Sequence, residues 1–306
     1  MNTLLQIAAN GTSDIEGDIK AFSLKVVMIA SLLLVVLLLS ASVVVKNKRY
    51  KILKMPFFVA IASTIILPSL LLMGSTVYIN TISESGGPVH WHTDIEFWVC
   101  GEEIELRDPY EFLSNKIGTS TYHEHDDKRI HLEGVVIEKE YDASLEKFMD
   151  VTDGKISNTE LVIPTDDSIF ENDTDGDTTR GNENVVRDYL QRDANGKATI
   201  AVENGKSCGN NEEAEVQAFL FRFNKENDTY AQTKLEEPAR YIMRDESVVP
   251  PGDCVIVEFD TFKQSTDKLC QQYGVRDRDR CTEFGVTTYN ADLCSFKQIV
   301  TEGGTL

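Results

Sequence analysis

The chain has 306 residues, 42% of them hydrophobic, and sets 30 Lys and Arg against 50 Asp and Glu for a formal net charge of −20. A surface that acidic repels nucleic acid and anionic lipid headgroups and attracts cations, which excludes a nucleic-acid-binding function. Solubility in a salty exterior accounts for the same charge without any ligand.

Residues 1–25 form a flank with Lys20 and Lys25 against Asp14, Glu16 and Asp18. Two uncharged runs follow within residues 26–79: Val26–Val45, 20 residues, and Phe57–Ile79, 23 residues with Pro68 inside. Each is long enough for a helix to cross roughly 30 Å of hydrocarbon at about 1.5 Å per residue. A buried core helix is the alternative, but both runs are apolar on all faces. A signal peptide is a second alternative for the first run, although no small-residue cleavage site precedes the lysines after it. Pro68 is expected to kink the second helix. The connector, residues 46–55, carries Lys46, Lys48, Arg49, Lys51 and Lys54. Short basic loops stay cytoplasmic, so the expected topology is a helical hairpin in the plasma membrane, with the lipid bilayer as partner and both termini external.

Seven of the basic and three of the acidic residues precede Asn80, which leaves a formal charge of −24 on residues 80–306. That length suffices for one or two domains with a real core. Its parts read as a His-rich β domain (80–164), an acidic connector or insertion (165–196), a β-rich subdomain (197–266) and a Cys-rich tail (267–306).

"HWHTDIEFWVCGEEIEL" alternates through Trp91, Ile95, Phe97 and Val99 and predicts a hairpin turning at Gly101-Glu102. Arg129–Tyr141 reads as another strand. Ser144–Val151 reads as a short helix with Ser144 as N-cap and Leu145, Phe148 and Met149 on one face. Glu160–Pro164 is a short strand, and residues 165–196 hold a helical turn around Val185–Leu190. Strands follow in "KATIAVENGK", "EVQAFLFRFN", "TYAQTKL" and "DCVIVEFD", the last entered through a Pro251-Gly252 turn. The expected class is α+β: an N-terminal helical hairpin, then a mainly antiparallel external domain with short helices.

All five histidines lie between His90 and His131. On a strand, residues i and i+2 share a face, so His90 and His92 project together, with Asp94 continuing the row and Trp91 opposite. His123 and His125 repeat the pattern on or beside a second strand, and His131 reaches in from a third. Imidazoles gathered this way suit a transition metal, and without clustered Met or Cys they favour Cu(II) or Zn(II) over Cu(I). Asp94, Glu124, Asp126 and Asp127 are candidate carboxylates for orienting the rings through their other nitrogens. The alternative is a set of histidines that hydrogen-bond within the sheet. "HWHTD" also invites comparison with His-x-His-x-Asp metallohydrolases, but Ile95 stands where the next His of the metallo-β-lactamase pattern belongs.

The stretches "HWHTDIEFWVCGEEIEL", "YHEHDDKRIHLEG", "SLEKFMDV", "ENGK" and "PPGDCVIVEFD" together resemble a poorly characterised family of exported, membrane-anchored bacterial and archaeal proteins. Its members show a His-x-His strand, then His-x-His-Asp, Ile-His-Val-Glu, a Leu-Gly-x-Phe-Phe helix and a closing strand after a Gly-Asp turn. The two-helix anchor and double-proline turn look most like members from Saccharibacteria and related small-genome bacteria. The resemblance covers most of Val89–Asp260 without the acidic insertion and marks His90, His92, His123, His125 and His131. The chain departs from it at "VCGEE" and in its tail, and the resemblance implies no established activity.

Asp173, Asp175 and Asp177 open like positions 1, 3 and 5 of a Ca(II)-binding loop, but Thr178 replaces the required Gly and Asn184 the closing Glu. A solvated acidic loop is the alternative there. The six cysteines, Cys100, Cys208, Cys254, Cys270, Cys281 and Cys294, all follow Asn80 and are disulfide candidates with 15 pairings open. Closure is cheapest among the last three. The functional expectation is an extracytoplasmic Cu(II)- or Zn(II)-binding protein, with no catalytic residue assigned. The rivals are a metal-free structural or adhesion module of the envelope and a metal-dependent redox enzyme.

Overall fold

The computed structural model describes residues 15–46, 48–109, 114–166, 183–193, 196–209, 211–224, 229–247, 252–271 and 299–301. They fall into two compact units divided after Gly87. The first contains helices α1 (Ile15–Lys46) and α2 (Lys54–Ile82), with a 3-10 turn at Lys48–Leu53 between them. Both helices are long and apolar enough to cross a membrane. Leu32, Leu39 and Leu67 are among the many apolar side chains that they leave exposed. Their hydroxyls turn back onto the helix: Ser31 donates to Val27 O at 2.8 Å, Thr64 to Ala60 O at 2.7 Å and Ser69 to Ile65 O at 2.8 Å. Hydroxyls satisfied this way cost little in an apolar setting. α2 runs through Pro68 as one element.

The second unit is α+β. Its larger sheet is built from β1 (Pro88–Val99), β2 (Glu102–Ile104), β3 (Ile117–Gly118), β4 (Tyr122–Glu124), β5 (Arg129–Val135), β10 (Ala214–Asn224), β11 (Thr229–Leu235), β12 (Asp253–Thr261) and β13 (Ile299–Thr301). Their order is β13-β11-β10-β12-β1-β5-β4-β3, with β2 also paired to β1. A smaller sheet runs β6 (Lys155–Ile156), β7 (Glu160–Thr165), β9 (Ala198–Glu203), β8 (Leu190–Arg192). Short helices α3 (Lys139–Asp142), α4 (Leu145–Val151) and α5 (Glu183–Arg187) complete the unit. Pairing is mainly antiparallel, but β1 lies parallel to β12, with Thr93 opposite Asp253. One sheet therefore joins strands from residues 80–164 with strands from 197–266.

The period-2 pattern of β1 decides where the core sits. Ile95, Phe97 and Val99 are buried with Ile130 and Leu132 of β5, Val255, Val257 and Phe259 of β12, and Leu145, Phe148 and Met149 of α4. Leu161 and Ile163 of β7 and Ile200 and Val202 of β9 close this core from the smaller sheet. Ser144 caps α4 as expected, its Oγ accepting from Lys147 N at 3.1 Å. On the other face of the large sheet, Phe219, Phe221, Cys254, Ile256 and Cys270 form a satellite core, against which Trp98 packs.

Three local expectations need correction. The β1–β2 turn is Cys100-Gly101, with φ 55° and 86°, instead of Gly101-Glu102. Cys100 is held there by its N–H bond to Phe259 O at 2.8 Å and by its disulfide to Cys208. The strand expected over Arg129–Tyr141 ends at Val135, because Asp142 Oδ2 accepts from Ile137 N and Glu138 N at 3.0 and 2.9 Å and turns the chain into α3. The helical turn expected around Val185–Leu190 does form, but as α5 it begins two residues earlier, and it ends sooner because Tyr189 O accepts from Ala201 N at 3.1 Å and Leu190 enters β8.

The cysteines pair as Cys100–Cys208 and Cys254–Cys270. Cys270 thus reaches back to β12. Cys281, Cys294 and the candidate calcium residues Asp173, Asp175 and Asp177 lie outside the described residues.

Candidate metal centre

Three adjacent strands bring the five histidines together. In the β1–β5 ladder His92 faces His131 and His90 faces Glu133; in the β4–β5 ladder His123 faces His131. His125 follows β4 by one residue. Gly118 of β3 permits this packing. It sits opposite His123 at φ +94°, and a Cβ there would meet Tyr122 O at 2.5 Å and His123 Cα at 3.2 Å. The β4–β5 turn is fixed by Glu124, whose Oε1 accepts from Asp127 N at 2.6 Å and Lys128 N at 3.0 Å.

The rings converge. His92 lies 4.5 Å from His131 and 4.6 Å from His90, centroid to centroid. His125 lies 4.7 Å from His123 and 4.9 Å from His131, and His123 stacks on His131 at 5.5 Å and 5°. Two groups result, His90–His92–His131–Glu133 and His123–His125–His131, each with candidate ligand atoms within 4.8 Å of one another. Four-coordinate zinc holds nitrogens at about 2.1 Å and hence roughly 3.4 Å apart. Imidazole rotation about χ2, a broad torsion, can supply a contraction of that size.

The hydrogen bonds fix which ring nitrogens keep a lone pair. His92 Nδ1 bonds to Ser247 O at 2.7 Å, and His125 Nδ1 to Asn115 O at 2.8 Å. A carbonyl only accepts, so in each neutral ring Nδ1 carries the proton and Nε2 keeps its lone pair. His92 Nε2 points that lone pair at His90 Nε2, 2.9 Å away. His131 Nε2 meets Asp127 Oδ2 at 3.2 Å. His123 is 1% exposed, and neither of its ring nitrogens has a hydrogen-bond partner.

Burial favours the neutral form of His123 and of His92. Burial, and then Lys116, His125 and His131, lower the His123 imidazole to about 4. Burial likewise lowers His92, helped by His131 and opposed by the bond to Ser247. Neutral imidazole is the ligating form.

Of the four candidate orienting carboxylates, Asp127 touches a ring; burial pushes its pKa up, but the hydrogen bond and charge of His131 outweigh that and lower it. Asp94 instead bonds Arg129 Nε at 2.7 Å, and burial raises its pKa in spite of that pairing. Glu124 is occupied by the turn amides, and Asp126 takes a left-handed position in that turn at φ 64°. Glu133, with its Oε1 3.5 Å from His90 Nε2, joins the site without having been singled out in the sequence. Its signal was there, since it lies two residues after His131 on one strand. The Ser247 and Asn115 carbonyls leave no mark in a side-chain pattern.

Compared with known protein families, curated proteins and solved structures, the chain finds no match.

Proposed function

We propose that this chain is a membrane-anchored, extracytoplasmic protein that binds Cu(II) or Zn(II) through its clustered histidines. The observation that carries the reading is His123. A buried polar group without a partner costs about 1–3 kcal/mol, and structural histidines in a core are normally satisfied. Here both nitrogens of a buried, neutral imidazole are unpartnered beside two other rings. Histidines serving only the sheet would be satisfied. Neutral imidazole and an adjacent carboxylate suit Zn(II) and Cu(II) alike.

The redox-enzyme reading gains nothing from the cleft of about 320 Å³ beside β3. Arg107, Ser114, Lys116, Gly118, Thr119 and Thr152 line it, and none of the five histidines does. The anchor reading rests on α1 and α2, on the basic connector and on two disulfides, which persist in oxidising compartments.

Full-length protein in detergent, stripped with a chelator and titrated with Zn(II) or Cu(II), is expected to bind with Kd below about 1 µM, near −8 kcal/mol. A wild-type chain that takes up neither ion refutes the metal reading. For orientation, a Tyr50→Cys variant in intact cells should stay unlabelled by an impermeant maleimide, while a tag after Leu306 is accessible. The opposite pattern overturns the topology.

A further inference from the structure

Resting on that metal reading, we propose that the imidazole row is two adjoining metal positions sharing His131. The centre then holds one divalent transition-metal ion at a time and passes it from an exposed entry position to a buried holding position.

The register places His131 in the middle, across from His92 on one side and His123 on the other. Both candidate groups include it. A neutral imidazole has one lone pair, so His131 completes one group at a time. Exposure falls from the side chain of His90, 59% exposed, through that of His131, 12%, to His123, 1% exposed, while His125 at the inner end is partly exposed.

Each end is set up to ligate through Nε2, because a backbone carbonyl pins Nδ1–H of His92 at the outer end and of His125 at the inner end. The outer group includes a carboxylate, Glu133, suited to meeting a partly hydrated ion. The inner group is three imidazoles around the unpartnered nitrogens of His123. Moving the ion inward is ligand substitution alone. His90, His92 and Glu133 leave, His123 and His125 enter, His131 stays, and no electron or proton is transferred to the ion.

The test uses full-length protein in detergent, loaded with Zn(II) and passed over a desalting column. Metal analysis gives stoichiometry, and a chromophoric chelator gives release rates. Wild type is expected to retain one ion per chain. The double variant His90→Ala/His92→Ala keeps one ion but takes it up at least about tenfold more slowly, a scale reached by losing even an outer partner of a metal ligand. His123→Ala/His125→Ala keeps one ion and releases it at least about tenfold faster. His131→Ala, and the better packed His131→Gln, lose retention at unchanged melting temperature.

Two ions on the wild type would overturn the sharing and show a dinuclear centre. Loss of the ion from both double variants would overturn it in favour of one joint site. No ion on the wild type at all would instead remove the underlying metal reading.

Discussion

Glu96 offers a test of the fold that is independent of any metal. It lies on β1, 5% exposed, four residues beyond His92. Burial, and then the charge of Glu103, raise its pKa to about 7, against the N–H bonds it accepts from Gln271 at 2.7 Å and Trp98 at 3.2 Å. An acid whose folded pKa lies above its unfolded value near 4.5 destabilises the fold only where it must ionise. The penalty is absent below about pH 4.5, grows as pH rises and is complete above about pH 7. Integrating the linkage gives about 1 kcal/mol at pH 5 and about 3 kcal/mol at pH 8. Glu96→Gln removes the ionisation, keeps an acceptor for Gln271 N and forfeits the Trp98 bond, a loss of about 1 kcal/mol at either pH. The variant should therefore gain about 2 kcal/mol at pH 8 and be near neutral at pH 5. Urea unfolding of the full chain in detergent, followed by tryptophan emission, measures both, since Trp98 adjoins the substitution. Equal shifts at the two pH values, or a loss at pH 8, would refute the burial argument.

Other substitutions probe the frame around the site. Cys100→Ala/Cys208→Ala opens a link spanning 108 residues and should cost about 4–5 kcal/mol by chain entropy, read as a lower urea midpoint; non-reducing peptide mapping should recover Cys100–Cys208 and Cys254–Cys270. Ser144→Ala deletes the α4 cap and should cost about 1 kcal/mol in the same assay. Gly118→Ala forces a Cβ against Tyr122 O and should destabilise the unit by more than about 1 kcal/mol, since Ala at positive φ is strained even without the clash.

The imidazole row was legible because a strand repeats every two residues, so His90 and His92 had to share a face once β1 formed. What placed His131 between His92 and His123 was register, and register comes from pairing partners that alternation does not name. The parallel pairing of β1 with β12 was hidden for the same reason: Thr93 and Asp253 meet across most of the domain, while each strand by itself reads as ordinary alternation. Strand ends were misplaced where a side chain overrode the pattern, as Asp142 does by accepting two backbone N–H groups after Val135. Gly101 marked its turn correctly, but the turn begins one residue earlier because Cys100 accepts φ 55° to reach Cys208.

The outer face of β1 meets two opposed demands along one strand. At its far end Trp98 joins Phe219, Phe221 and Ile256, which would be a bare apolar patch on the sheet without the segment 262–271 across them. That segment is tied down by Cys254–Cys270, by Gln232 exchanging bonds with the Thr266 backbone at 2.9 and 3.0 Å, and by Lys263 on the buried carboxylate of Glu258 at 2.8 Å. Its last bond, from Gln271 N, lands on Glu96. Two residues on, Asp94 pairs with Arg129, and beyond it come His92 and the exposed His90. Cover is needed to keep the aromatic end dry, whereas the imidazole end is of use to an ion only if it stays open. Glu96 marks the boundary: polar enough to end the satellite core, yet bonded to Gln271 N of the cover. The acid that the fold holds at a cost above pH 7 is thus the one standing where dry packing gives way to the imidazole row.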